Sequence, residues 1–314
     1  MSYCPITLDP LPEGSKYSEA GLRRLHPKLT DLHTLAYSYE EQLKEARKRS
    51  DKMSIQGVQP KLSAVLSVKD ASFSLVDRGG RFILKPNPPT FEQVPENEAL
   101  TMSMAAAAGI DVPAHGLLRA HDDSWVYFVK RYDREGRSGK VHVEDFAQLS
   151  SETRETKYDS SLERVAQLVD KFYTFPAIEK PKLAKRLLFC FLTGNKDMHL
   201  KNFSVWVKDG VVSLTPAYDL LNTTLVLENA QEESALPLNG KKKNLTRKAW
   251  LSYFCYERLK LSEKQVMMIL SDLESAMPTF KGLILRSFLS NSRKAEYLDI
   301  LSDRAQRLGF IAEW

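Results

Sequence analysis

"TGNKDMHLKNFSV", residues 193–205, runs from an apolar stretch, "RLLFCFL" (186–192), into an alternating one, "FSVWVKD" (203–209). A loop between a buried helix and a strand is a common seat of function, because a rigid scaffold holds its side chains in place. Asp197 and Asn202 stand five positions apart in it, giving D-x-x-x-x-N. That spacing suits phosphoryl transfer. A carboxylate orients the attacking hydroxyl and takes its proton, and a carboxamide a few residues on offers a neutral oxygen to Mg²⁺. Beyond a turn at Asp209–Gly210, "VVSLTPAYD" (211–219) returns as a second strand and ends on Asp219. Asn202 and Asp219 then form a pair of Mg²⁺ ligands brought together by one hairpin. Each residue alone also reads as an ordinary loop or strand-end residue; the hairpin that joins them is the more specific signal.

Upstream, Lys85 stands near the end of a strand in "GGRFILKPNP" (79–88), and Glu98 follows 13 positions later at the start of a helix. A lysine that reaches the α- and β-phosphates of ATP, held by a glutamate on the next helix, is the other half of a kinase site. Taken singly, Lys85 is also readable as a surface lysine before a proline turn. Glu98 is readable as an acid favoured by the helix dipole, and its choice over the neighbouring Glu96 and Asn97 rests on register. "SIQGVQPK" (54–61) places Gly57 either in a tight turn or in a loop over the nucleotide phosphates. "FVKRYDR" (128–134) reads as a crossing between lobes, where the backbone of Val129, Lys130 and Tyr132 faces an adenine edge. His199 either braces the 193–205 loop or joins the nucleotide site.

The order of elements agrees with two lobes. Residues 18–52 read as helical. "KLSAVLSVK" (61–69) and "ASFSLVD" (71–77) alternate apolar and polar positions and the strand of Lys85 follows a Gly-Gly turn, which predicts an antiparallel meander. A helix over 95–110 follows, opened by Pro95 and closed near Gly109, then strands over 115–120 and 124–134. From "VEDFAQLS" (143–150) onward the pattern turns helical, with helices over 160–175 and 179–195 and a helical last seventy residues, where Ser262 and Gln265 have capping-box spacing. The fold class is α+β, a two-lobed protein-kinase-like fold. A small β-rich N-lobe spans 1–133, with its hinge at 128–134, and a larger, mainly helical C-lobe spans 134–314.

Composition bounds the function. With 43% apolar and 27% charged residues in 314, the chain has the make-up of an ordinary soluble globular protein. No apolar run approaches the roughly 20 residues that span a bilayer, and the N-terminus lacks the pattern of an export signal. The expectation is a cytoplasmic protein with no membrane partner. Cys4, Cys190 and Cys255 form neither a disulfide framework nor a zinc pattern, and the latter two sit in apolar, core-like surroundings. A net charge of +5 is too modest to mark a nucleic-acid binder. The basic stretches "KEARKRSDK" (44–52) and "NGKKKNLTRK" (239–248) read as solvated surface or as contacts for an acidic partner.

In order and spacing, "SIQGVQPK", "FILKP", "ENEA", "VKRYDR", "EDFAQL", "GNKDMHLKNFS" and "PAYDLL" resemble the HipA-like serine/threonine kinase toxins of bacterial toxin–antitoxin modules. The early position of the Gly57 loop and the N-terminal "CPIT" are similar to the short HipT-type toxins, in which a separate small antitoxin protein supplies an N-terminal subdomain. The resemblance implies ATP and Mg²⁺ as cofactors, Asp197 as the catalytic residue, and autophosphorylation on Ser54. It implies an aminoacyl-tRNA synthetase as protein substrate, tryptophanyl- first and glutamyl- second, with inhibition of translation as the outcome. It also implies a DNA-binding antitoxin, with DNA reached only through that complex. Three departures stand out: Gln56 where some short relatives carry a second serine, Lys130 where long members carry a glutamate, and a single glycine in the loop. Two other readings share the pattern: a small-molecule phosphotransferase of kinase-like fold, and a catalytically silent pseudokinase in a DNA-bound repressor complex.

Overall fold

The computed structural model describes residues 2–49, 59–136, 139–150, 160–227 and 231–311. The chain opens with two short helices, α1 (Glu19–Leu25) and α2 (Tyr39–Arg49). The sequence predicted one helical stretch over 18–52, and the break has a local cause. Ser18 caps α1 by accepting from the Gly21 N–H, but His26 precedes Pro27 and is driven to extended backbone, φ −158° and ψ 136°. The helix stops there and a turn-rich segment carries the chain to α2.

Strands β1 (Leu62–Ser67), β2 (Ser72–Leu75) and β3 (Phe82–Pro86) come next, then helix α3 (Val94–Ala107) and strands β4 (His115–Arg119) and β5 (Trp125–Lys130). They form one antiparallel sheet in the order β2-β1-β3-β5-β4. β3 therefore pairs with β1, and the first three strands are not a simple meander. Gly80 permits the return: a Cβ there would lie 1.9 Å from the Ser63 Oγ. The outer face of this sheet is covered by the first 35 residues. Cys4, Ile6, Leu22, Leu25, Leu29, Leu32 and Leu35 pack with Phe73, Phe82 and Phe128 into a core of their own. The N-terminal segment crosses β4 at Gly116, whose missing Cβ would stand 2.9 Å from the Ile6 Cα.

The inner face of the sheet and α3 belong to a second, larger core. Leu100, Met104, Leu117 and Tyr127 are continuous there with Phe146, Leu188, Phe189, Phe280 and Tyr297. After β5 come a small ribbon, β6 (Arg134–Glu135) and β7 (Gly139–Lys140), strand β8 (His142–Asp145) and helices α4 (Phe146–Leu149), α5 (Leu162–Phe172) and α6 (Pro176–Leu192). The helical pattern expected from residue 143 begins later. Residues 142–145 pair with β9 (Ser204–Lys208), and α4 starts only after Asp145, which caps it in a capping box with Gln148. β10 (Val211–Leu214) pairs with the other edge of β9. The rest is helical: α7 (Thr223–Val226), a π-helix (Ala249–Arg258), α8 (Glu263–Ser275), α9 (Met277–Arg286) and α10 (Asn291–Leu308). Ser262 and Gln265 form the expected capping box on α8. Among the described residues no helix is long and apolar enough to cross a membrane.

His115 ties α3 to the sheet. Its Nδ1 donates to the Pro113 carbonyl at 2.8 Å, and its Nε2 lies 3.3 Å from the Ser103 Oγ. Burial pushes its pKa down to about 4, against the pull of that carbonyl. An unfolded histidine takes up its proton near pH 6.5, so the stability contributed by neutral His115 is whole above that pH and is lost as pH falls towards 4. Chemical denaturation at pH 7 and pH 4 should show the wild type losing on the order of 3 kcal/mol more than His115→Gln.

Candidate active site

Strand β3 carries Lys85 to the inner face of the sheet, and the first turns of α3 bring Glu98 beneath it. Lys85 Nζ donates to Glu98 Oε1 at 2.5 Å and also to Asp219 Oδ1. Lys85 and Glu98 are almost wholly buried, at 2% and 1% exposure, while Asp219 keeps 32%. One ammonium thus serves two carboxylates. Burial acts to lower the Lys85 pKa, and Asp219 and Glu98 outweigh it and hold the group above the ordinary lysine range. Burial pushes Glu98 up to about 7 despite the Lys85 cation, and the Asp219 charge adds to that rise. Asp219 goes the other way. Burial alone would raise it, but Lys61 and Lys85 hold it well below the usual carboxylate range.

Asp219 is reached by an unusual backbone, φ +53°. That left-handed conformation is one that Asp tolerates better than most side chains. Its neighbour Tyr218 fixes the approach: the Tyr218 hydroxyl donates to the Lys201 carbonyl at 2.9 Å, and its ring stacks on Tyr132 with centroids 5.6 Å apart. The 193–205 loop begins where α6 ends. Gly194 has φ +68°, and a Cβ on it would lie 2.7 Å from Asn222 Oδ1, so two independent reasons demand glycine there. Its carbonyl accepts from Thr224 Oγ1 at 2.8 Å, and the Lys196 N–H donates to Thr223 Oγ1 at 2.8 Å. Asp197 follows with a side chain 45% exposed, and its carbonyl accepts from Asn202 Nδ2 at 2.6 Å. That bond fixes the Asn202 carboxamide and leaves its Oδ1 as the oxygen for a cation. Buried His199 lies beside the acid, its Nε2 4.0 Å from Asp197 Oδ1.

The site thus has a half-exposed carboxylate and a carboxamide oxygen on a braced loop, and, joined to that loop through Tyr218, a second carboxylate on a buried lysine locked by a glutamate. The HipA-like C-terminal domain family matches residues 53–280. The chain belongs to that family. Over 242 residues this HipA-like chain is 28% identical to a putative kinase of Haemophilus influenzae, covering 71% of the chain and 69% of the relative. Over 215 residues it is 25% identical to the serine/threonine-protein kinase toxin HipA of Shewanella oneidensis, covering 60% of the chain and 47% of that protein. It therefore spans about two thirds of the first relative and about half of the second. The fold is similar to that of HipA from Shewanella oneidensis, solved with HipB and its operator DNA. The TM-score is 0.68 at 21% identity, over 97% of this chain and 78% of that one. It is also similar to the Helicobacter pylori proinflammatory kinase CtkA, with a TM-score of 0.58 at 16% identity, over 82% of this chain and 91% of that one. The fold is α+β and kinase-like.

In this HipA-like site the structure brings together Lys85, Glu98 and Asp219 in one cluster, and Asp197, His199 and Asn202 in one loop. Ser54 and Gly57 lie outside the described residues. At the crossing, the Lys130 N–H donates to the Ala114 carbonyl at 2.7 Å and the Arg131 N–H to the Arg81 carbonyl at 2.8 Å. Those two donors are committed to the sheet, so an adenine edge would meet other backbone groups of 129–132. Tyr132 turns its ring to Tyr218 and Trp206 and so joins the crossing to the hairpin. Lys61 is the residue that the motif reading passed over. Its Nζ lies 3.6 Å from Asp219 Oδ2. It stands at the end of "SIQGVQPK", where only the glycine and serine drew notice, and a lysine entering a strand towards Lys85 was the available signal. Both metal candidates, Asn202 and Asp219, offer hard oxygen donors that suit Mg²⁺.

Lys85→Met would leave two carboxylates facing one another, one of them buried. Breaking such a buried pair costs about 3–5 kcal/mol. Urea denaturation should show a loss of that order, and adding Glu98→Gln to Lys85→Met should recover a large part of it.

Proposed function

We propose that this HipA-like chain is an ATP-dependent serine/threonine protein kinase and the toxin of a bacterial toxin–antitoxin module, closest to the HipT type. The observation that carries the reading is the Lys85–Glu98–Asp219 cluster, joined to the Asp197–Asn202 loop by the Tyr218 hydroxyl on the Lys201 carbonyl. MgATP, when bound, supplies the γ-phosphoryl group and a cation that draws charge from it. Lys85, held by Glu98, would bind the α- and β-phosphates. Asp219 and the Asn202 carboxamide would hold the cation. Asp197, exposed and braced by Asn202 and Asn195, orients a serine hydroxyl and receives its proton at a carboxylate oxygen. The Asp197 N–H donates to Asn195 Oδ1 at 3.1 Å, which keeps the carboxylate aimed outward. Adenine would lie against the 129–132 crossing, and Ser54 is the residue expected to be autophosphorylated.

The protein substrate in this reading is an aminoacyl-tRNA synthetase, tryptophanyl- before glutamyl-, so that charging of tRNA stops in the cytoplasm. The partners are antitoxins, one of which binds DNA; the HipA structure solved with HipB and operator DNA supports that kind of assembly. Purified protein incubated with γ-labelled ATP and Mg²⁺ should incorporate phosphate, with Ser54 as the modified peptide, and should label one serine of the synthetase. Asp197→Asn should lower transfer by roughly 10²–10⁴-fold, the range of a general base, with the Tm unchanged within a few degrees. Full transfer by a folded Asp197→Asn protein would sink the assignment.

A further inference from the structure

Asn97, the residue before Glu98, makes a paired contact that no part of the site described so far uses. Its Nδ2 donates to the Asn222 carbonyl at 2.9 Å, and its Oδ1 accepts from the Asn222 N–H at 2.8 Å. Both residues are buried, at 2% and 0% exposure. A carboxamide that satisfies both backbone groups of one residue reads the chain as a strand partner would, and it fixes position and direction together. Asn222 is three positions beyond Asp219. On its other side Asn222 leads into Thr223 and Thr224, whose hydroxyls hold Gly194 and Lys196, the entrance to Asp197. Hydrogen bonds joined by the short backbone segment 222–224 therefore connect the Glu98 helix, through the segment after Asp219, to the Asp197 loop.

The helix end of this connection is itself anchored. The Tyr297 hydroxyl on α10 donates to Thr101 Oγ1 at 2.9 Å, and Thr101 donates to the Asn97 carbonyl at 2.9 Å. One turn earlier, Gln93 Oε1 accepts from the Ser290 N–H at 2.7 Å, at the cap of α10. Helix α3 is thus held to α10 at two points, and Asn97 transmits that fixed position to the segment bearing Asp219.

We infer that Asn97 is a positioning residue of the phosphotransfer site: through the Asn222 backbone it sets where Asp219 stands relative to Lys85 and Asp197. This inference rests on the kinase reading for its effect on turnover, but the coupling itself is a property of the fold. Asn97→Leu keeps the volume close and removes both bonds. Thr101→Val loosens the anchor behind Asn97 and serves as the milder variant if Asn97→Leu does not fold.

Two measurements test it on the full chain. Without nucleotide, hydrogen exchange of the Asn222 amide and its neighbours through Leu225 should become about tenfold faster or more in the variants, while the β1–β3 amides exchange as in the wild type. With ATP saturating, the Mg²⁺ concentration for half-maximal transfer should rise about tenfold with little change in KM for ATP, because Lys85 and Glu98 keep their pair. Wild-type exchange at Asn222 would overturn the coupling. Faster exchange with an unchanged Mg²⁺ dependence would overturn the positioning role. If wild-type protein transfers no phosphate at all, the kinase reading fails, and the exchange result alone decides whether Asn97 holds the Asp219 segment.

Discussion

One ammonium group between two carboxylates organises this molecule. Lys85 is nearly inaccessible to water, so its charge requires compensation that solvent cannot give. Glu98 supplies it from α3 and Asp219 from the segment after β10. The sheet, the helix behind it and the hairpin in front must therefore converge within hydrogen-bond reach of one atom. Burial pushes the Glu98 pKa up to about 7 even beside the Lys85 cation, and that cation is what favours its charged form. The cluster is costly to assemble and costly to break, which is the condition under which a charge is held in one place.

The apolar cores support that convergence in a way the chain order conceals. A division near residue 133 would assign α3 to the sheet. In the structure α3 and the inner face of the sheet share the larger core with α6, α9 and α10, and the sheet's outer face closes with the N-terminal 35 residues instead. α3 is thus packed as a member of the helical part while carrying a residue that serves the sheet. Hydrophobic packing sets the helix down and polar contacts set its direction. The Asn97–Asn222 pair and the Thr101–Tyr297 bond are specific in a way that Leu100 and Met104 contacts are not.

The sequence disclosed the cluster because its members sit at ends of regular elements. A Gly-Gly turn marked the start of β3 and so placed Lys85; proline and acids marked the start of α3; an Asp-Gly turn marked the hairpin before Asp219. What escaped was non-local. Nothing periodic announces that Asn97 faces Asn222, since the two are separated by 125 positions and neither is unusual in its own segment. The single helix expected over 18–52 failed on Pro27, whose effect on His26 is local and legible. The late start of helix after residue 143 followed from pairing with β9, which propensity does not encode. Lys61 is hidden for the same reason, since its partner Asp219 lies far along the chain and no local pattern joins them.

The three ion pairs at the centre differ in geometry, and the difference bears on what the site can admit. Lys85 is hydrogen-bonded to both Glu98 and Asp219 in surroundings that exclude water, whereas Lys61 stands 3.6 Å from the second oxygen of Asp219. That separation is beyond a good hydrogen bond, so Lys61 acts on Asp219 chiefly by charge, and with Lys85 it keeps the carboxyl ionised. Asp219 is therefore hydrogen-bonded through one oxygen and meets Lys61 at ion-pair distance through the other. A carboxylate fixed in place yet open on one lone-pair face is what a hard cation requires of a ligand. The same asymmetry keeps the anchoring oxygen's partner, Lys85, in place when the open oxygen changes company.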